Sequence, residues 1–213
     1  KAVRLGAVAV VASIPKDLLK PYQREAFSAG LEEYRQAMAH SLDFQASGLN
    51  LGNVYSDLGD AAAAERYYRL ALKIDDLFYP AKMNLAVLLS GAGRNAEAET
   101  LLREVTAAYP DNHGAAYSLG LLLVELGKPQ EAVGFLARAA RGLPRHGRAH
   151  YNLGLLLQQL GRLDEAGLAL GDAVAIEPRN GDFLFALGDH YLKRGRAQDA
   201  LTQVERLIAL YPA

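Results

Sequence analysis

Small residues recur through this chain every 34 positions, and that period constrains the fold more than any other feature of the sequence. Gly52, Gly120, Gly154 and Gly188 hold one place in the period, with Ala86 in the slot between the first two. Ala64, Ala98, Ala132, Ala166 and Ala200 hold a second, and Pro110, Pro144, Pro178 and Pro212 a third. Such a lattice means one structural unit stacked on copies of itself, and stacked units bind far more often than they catalyse.

The stretch 113–146 shows what one unit contains. From His113 to Leu126, Ala116, Leu119, Leu123 and Leu126 fall at helical spacing. Gly127-Lys128-Pro129 breaks the chain, and a second helix is predicted from Gln130 to Arg141, with Ala132, Phe135, Leu136 and Ala139 on its apolar side. Gly142-Leu143-Pro144 ends it. So short a break allows only an antiparallel pair. Gly120 and Ala132 are expected where the paired helices approach most closely, because a larger side chain there would force them apart. Leu119, Leu123 and Leu136 fill the space on either side. Tyr55, Tyr68, Tyr117 and Tyr151 add broad apolar faces with polar tips.

The same phase defines units at 45–78, 79–112, 113–146, 147–180 and 181–213. Read backwards, Gly30, Tyr34 and Ala37 align with Ala64, Tyr68 and Ala71. Glu25 to Ser41 is therefore expected to be the second helix of an earlier, degenerate unit, its first helix lying among residues 16–22, and residues 1–44 form N-terminal helices. The most apolar local stretch, Val3 to Ala12, is about half the length of a membrane span. Three readings fit it: the remnant of a secretory signal, interrupted by Arg4; a strand or buried turn; or a helix packed on the start of the stack and stopped before Pro15. The helix is the expectation carried forward. Residue 1 is Lys rather than Met, as in a fragment or a processed chain.

Composition narrows the function. Of 213 residues, 51% are hydrophobic, enough for a continuous core. With no Cys there is neither a disulfide nor a thiolate, which fits a cytosolic or a periplasmic home equally. A formal net charge of -1, with no basic stripe, argues against nucleic-acid binding, and no membrane insertion is expected. Catalysis has little to stand on. His40, His113, His146, His150 and His190 match no metal-ligand spacing, and the adjacent side chains of Asp189 and His190 diverge on a helix. Ser13 and Ser28 lack a nucleophile-elbow setting. Gly91-Ala92-Gly93 and Gly59-Asp60 are read as inter-helix turns rather than phosphate loops. No catalytic residue, cofactor or metal is expected.

Leu51-Gly52-Asn53-Val54-Tyr55 with Ala64 and Tyr68, Ser118-Leu119-Gly120 with Ala132, Asn152-Leu153-Gly154 with Ala166 and Pro178, and Leu187-Gly188-Asp189-His190-Tyr191 with Ala200 and Pro212 resemble the tetratricopeptide repeat. The resemblance covers residues 45–213 and implies an all-α fold, a right-handed α-α superhelical solenoid. The large aromatic usual at the fourth position is missing, replaced by Gly48, Lys82, Ala116, His150 and Leu184, which is expected to loosen the packing of paired helices. Ala2 to Val11 followed by Ile14-Pro15 resembles the closing helix of a HEAT-type repeat. HEAT and tetratricopeptide segments in series resemble the C-terminal part of large multihaem c-type cytochromes, which would imply a periplasmic parent; without that link a cytoplasmic one is implied.

The family resemblance also implies a concave groove lined by the first helix of each unit. The sixth position reads Asn50, Asn84, Ser118, Asn152 and Ala186. These asparagines look like a ladder that pairs with an extended peptide backbone; the alternative is that they bond between neighbouring helices or face water. The fifth position reads Leu49, Met83, Tyr117, Tyr151 and Phe185, and the ninth Asn53, Val87, Leu121, Leu155 and Asp189, with Gln158, Gln159, Arg148 and Lys193 toward the C-terminus. An extended segment is expected across units two to four, held by Asn84, Tyr117, Leu121, Tyr151, Asn152 and Leu155. The carboxylate clamp of some family members matches at Asn53 and Asn84 but fails at Leu49, Gly114 and Ser118. The function expected is a protein-interaction scaffold that binds a peptide or partner domain; the alternative is an architectural arm of a larger exported redox protein. Val204, Leu207 and Ile208 have no following hairpin in this sequence to cover them, so that end is expected to be capped either by another copy, through self-association, or by further sequence.

Overall fold

The computed structural model describes residues 2–39 and 44–211. Ser41, His40 and Pro212 lie outside. Twelve α-helices and one short 3-10 turn account for nearly all of the described chain, and no strand occurs among the described residues. The helices are α1 (Ala2–Ala12), α2 (Pro21–Ala39), α3 (Gln45–Asp57), α4 (Ala61–Ile74), α5 (Tyr79–Gly91), α6 (Asn95–Ala108), α7 (His113–Glu125), α8 (Pro129–Gly142), α9 (Gly147–Gln159), α10 (Leu163–Ile176), α11 (Gly181–Lys193) and α12 (Ala197–Leu210). They pack as helix pairs, α3 on α4 through α11 on α12, in an all-α helix-pair solenoid. The chain divides into two compact units, Lys1–Ala108 and Tyr109–Ala213.

Each pair closes through the same turn. Gly59, Gly93, Gly127, Gly161 and Gly195 all have φ between 68° and 76°, left-handed backbone that an L side chain resists. The residue after each glycine then donates its N–H back into the first helix: Asp60 to the Tyr55 carbonyl, Arg94 to Leu89, Lys128 to Leu123, Arg162 to Leu157 and Arg196 to Tyr191, at 2.8–2.9 Å. This is a Schellman ending, and it satisfies carbonyls the helix would otherwise leave open. The carbonyl of that same residue accepts from Ala64, Ala98, Ala132, Ala166 or Ala200, four positions on. One residue thus ends the first helix and begins the second. An acid in the first turn reinforces the start, with Arg94 bonded to Glu97 at 2.7 Å and Arg162 to Glu165 at 2.6 Å. The arginine hydrogen bonds hold both carboxyls below the usual carboxylate range.

The repeated small residues lie where the sequence predicts. Ala64, Ala98, Ala132 and Ala166 have no exposed surface. A methyl group on Gly52 would come within 2.3 Å of the Tyr68 ring, and on Gly120 or Gly154 within 2.7 Å of Leu136 or Leu170. Leu119, Leu123 and Leu136 are wholly buried, each contributing about 1.5–3 kcal/mol of apolar transfer. The last pair differs: the equivalent methyl on Gly188 would sit 3.5 Å from Gln203, an ordinary contact, and Val204 is 42% exposed. Ile208 is exposed too.

Two expectations need correction. At three of the five fourth positions the pairs are not loosened: Ala116 and Leu184 are wholly buried, and a methyl on Gly48 would meet Ala71 and the Tyr67 carbonyl at 3.0 Å. The helix predicted among residues 16–22 is also absent. Pro15 and Pro21 leave room for only the 3-10 turn Lys16–Leu18, and α2 begins at Pro21, where its missing N–H is harmless. The helix that pairs with α2 is α1. Val8 and Ala12 of α1 join Tyr34 of α2 and Leu51 and Val54 of α3 in one buried cluster, with Gly30 admitting Val8 at close range.

Candidate binding face

Within each compact unit, first helices of neighbouring pairs are joined by side-chain amides and hydroxyls. In the N-terminal unit, Asn53 Oδ1 on α3 accepts twice, from the Tyr68 hydroxyl at 2.9 Å and from Asn84 Nδ2 on α5 at 2.7 Å. Tyr68 reaches this point because Gly52 lets its ring pass beneath α3. Its burial, the largest influence, pushes its phenol above the ordinary tyrosine range.

In the C-terminal unit, Asn152 Nδ2 on α9 donates to the Tyr117 hydroxyl on α7 at 2.8 Å. Gln158 uses both ends of its amide toward α11: Nε2 donates to Asp189 at 3.1 Å, and Oε1 lies 3.2 Å from His190 Nδ1. Asp189 and His190 do diverge, yet one glutamine spans both. Lys193 also holds Asp189 at 2.7 Å, and its hydrogen bond leads the causes that lower the Asp189 pKa. His190 is buried, which lowers its pKa; Arg194 and Arg196 act in the same direction.

Each residue expected on the binding face can now be placed. Asn50 is exposed on α3, while Asn53 and Asn84 bond to one another. Val87 is 65% exposed on α5 and Leu155 37% exposed on α9, whereas Leu121 is half-buried. Tyr151 is partly core, stacked on Phe183 with centroids 4.9 Å apart and with the Arg148 guanidinium 5.3 Å from its ring. Phe185 is 68% exposed. Asn152 and Gln158 are half-buried and bonded as above. The asparagines therefore carry bonds between neighbouring first helices, yet the Asn84 and Asn152 carbonyl oxygens accept no hydrogen bond from the described residues.

One part of this face gives no signal in any single repeat. Asn53, Ser56, Asp57, Ala61, Tyr68 and Asn84, with Val87, Leu88, Gly91 and Ala92, line an open cavity of about 810 Å³ between α3 and α5. Comparing equivalent positions between repeats could have found it. Among the described residues no three histidine or acidic side chains converge as a metal site requires, and no helix is long and apolar enough to cross a membrane.

Fold and face together define a protein of stacked helical hairpins. Tetratricopeptide-repeat models match residues 49–76, 83–144, 125–182 and 157–213. The chain belongs to the tetratricopeptide-repeat family. Among solved structures it is similar to YrrB, described as a TPR protein with an unusual peptide-binding site, at 23% identity over 84% of this chain and 92% of that one, TM-score 0.71. It is also similar to MamA from Desulfovibrio magneticus RS-1, at 20% identity over 78% of this chain and 94% of that one, TM-score 0.70. MamA AMB-1 is 26% identical over 75% of this chain and 94% of that one, TM-score 0.65. No curated protein sequence matches. None of these relatives is a cytochrome, so neither the multihaem resemblance nor a periplasmic location gains support from them.

Proposed function

We propose that this chain is a protein-interaction module that binds an extended polypeptide segment along the first helices of its hairpins. The observation that carries the reading is the pairing of an exposed apolar side chain with a half-satisfied amide on a first helix of each compact unit. Val87 is exposed beside Asn84 on α5, and Leu155 beside Asn152 on α9. Each asparagine has spent a donor within the protein and keeps its carbonyl for a backbone N–H. The apolar side chains supply area that a bound segment would remove from water. YrrB, a structure of like fold, is described as having a peptide-binding site, which agrees with this use of the fold. The alternative as an arm of an exported redox protein has no observation in its favour.

The test is selection of peptides from a displayed random library on the 213-residue chain, then titration of the winners against a Val87→Asp, Leu155→Asp double variant. Val87 is 65% and Leu155 37% exposed, and a thermal melt verifies that the double variant folds. Affinity falling at least tenfold supports the reading. Unchanged affinity, or failure to select any peptide, removes it.

A further inference from the structure

The 810 Å³ cavity between α3 and α5 exists because four of its lining positions carry small side chains. Three periods further along, the equivalent positions are filled. Gln158 stands for Ser56, Leu163 for Ala61, Lys193 for Gly91 and Arg194 for Ala92. In the C-terminal unit those longer side chains are engaged: Gln158 on Asp189 and His190, Lys193 on Asp189 at 2.7 Å, and Arg194 on Asp164 at 2.6 Å. Around the cavity none of these ties can form, and the space stays open.

Its formal charge is of one sign. Of the ten lining residues none is cationic, and Asp57 is a carboxylate with no ion-pair partner among the described residues. Asp57 is the last residue of α3 and Gly91 the last of α5, while Ala61 is the first of α4, so helix ends of both signs border the cavity and the formal charge of Asp57 sets its sign. Val87 and Leu88 provide apolar wall. An acidic side chain would be repelled, and a short one would not reach from the apolar wall to Asp57. Resting on the interaction reading above, we infer that this cavity takes the lysine or arginine side chain of the bound segment, its stem along Val87 and Leu88 and its cationic head at Asp57. Long basic side chains suit such a site because their methylenes pack on apolar surface while the charge stays solvated.

The experiment is an NMR titration of the ¹⁵N-labelled 213-residue chain with N-acetyl-lysine methylamide, and with the norleucine and glutamate analogues. The lysine compound is expected to shift the backbone amides of Ser56, Asp57, Val87, Gly91 and Ala92, norleucine to do so more weakly, and glutamate not at all. Asp57→Asn is expected to weaken the lysine response about two- to fivefold, the range of a solvated ion pair. Gly91→Lys is expected to abolish it by installing the side chain that the C-terminal unit carries at this place. A Cβ at Gly91 meets nothing within 4 Å, and a thermal melt verifies that the variant folds. No shift at these amides, equal responses to lysine and norleucine, or an indifferent Asp57→Asn each overturns the inference. Such a failure leaves the interaction reading intact if library peptides still bind. A lysine response without any selected peptide would instead remove the interaction reading.

Discussion

Gly120 and Leu136 are packed so tightly that a methyl group on the glycine would lie 2.7 Å from the leucine side chain. The same place in the last hairpin, Gly188, has its nearest side-chain neighbour at 3.5 Å. Gly120→Ala is therefore expected to destabilise the protein by about 1–3 kcal/mol, the cost of overpacking. Gly188→Ala is expected to stabilise it by about 0.5–1 kcal/mol through helix propensity alone. Urea unfolding of the two variants checks this, and effects of equal sign would contradict it.

Ala132 has no exposed surface and starts the second helix by donating to the Lys128 carbonyl at 3.1 Å. Ala132→Leu is expected to cost roughly 1–3 kcal/mol or more. An unchanged unfolding midpoint would mean that the site can expand after all.

The turn glycines separate backbone from packing. Gly127 has φ of 69° and nothing within 4 Å of an added methyl, so Gly127→Ala costs only conformational strain, about 1–2 kcal/mol. Gly134, within α8 and equally open, is expected to gain about 0.5–1 kcal/mol on the same change. Thermal melts of the pair decide it. A neutral Gly127→Ala would show that the turn relaxes.

Stability should also depend on the charge state of His190. Its folded pKa lies below the ordinary 6.5, so below pH 6.5 the unfolded chain binds more protons than the folded one. The contribution is fully present above that pH and is lost as pH falls toward the folded value. Urea midpoints at pH 8 and 5.5 are expected to differ in that direction. Replacing His190 by Gln is expected to flatten the slope, and a slope that persists unaltered would assign it to other groups.

Much of the fold was legible because packing repeats. Gly52, Gly120 and Gly154 each meet one large residue sixteen positions on, so their spacing carried the helix pairing directly. The turn glycines form a further series at the same period, equally readable, which the composition of individual turns obscured. The start of the chain was harder. Two prolines six residues apart permit a short helix or a 3-10 turn, and only tertiary contacts between α1 and α2 decide between them. The binding face was legible as positions but not as partners. Nothing in the sequence says that Asn84 donates to Asn53, because the register between neighbouring hairpins depends on how all their side chains pack.

The shared residue of each hairpin turn, from Asp60 to Arg196, bears on how such a gene can change in length. With one residue both terminating a helix and initiating the next, a codon gained or lost there would rotate every later side chain of the hairpin by about 100° and misalign its buried alanine. The links between hairpins, such as Asp75 to Phe78 and Leu143 to His146, carry no left-handed glycine and no such shared duty. Insertions should survive at those links, and elsewhere the chain is free to grow or shrink only by a whole period.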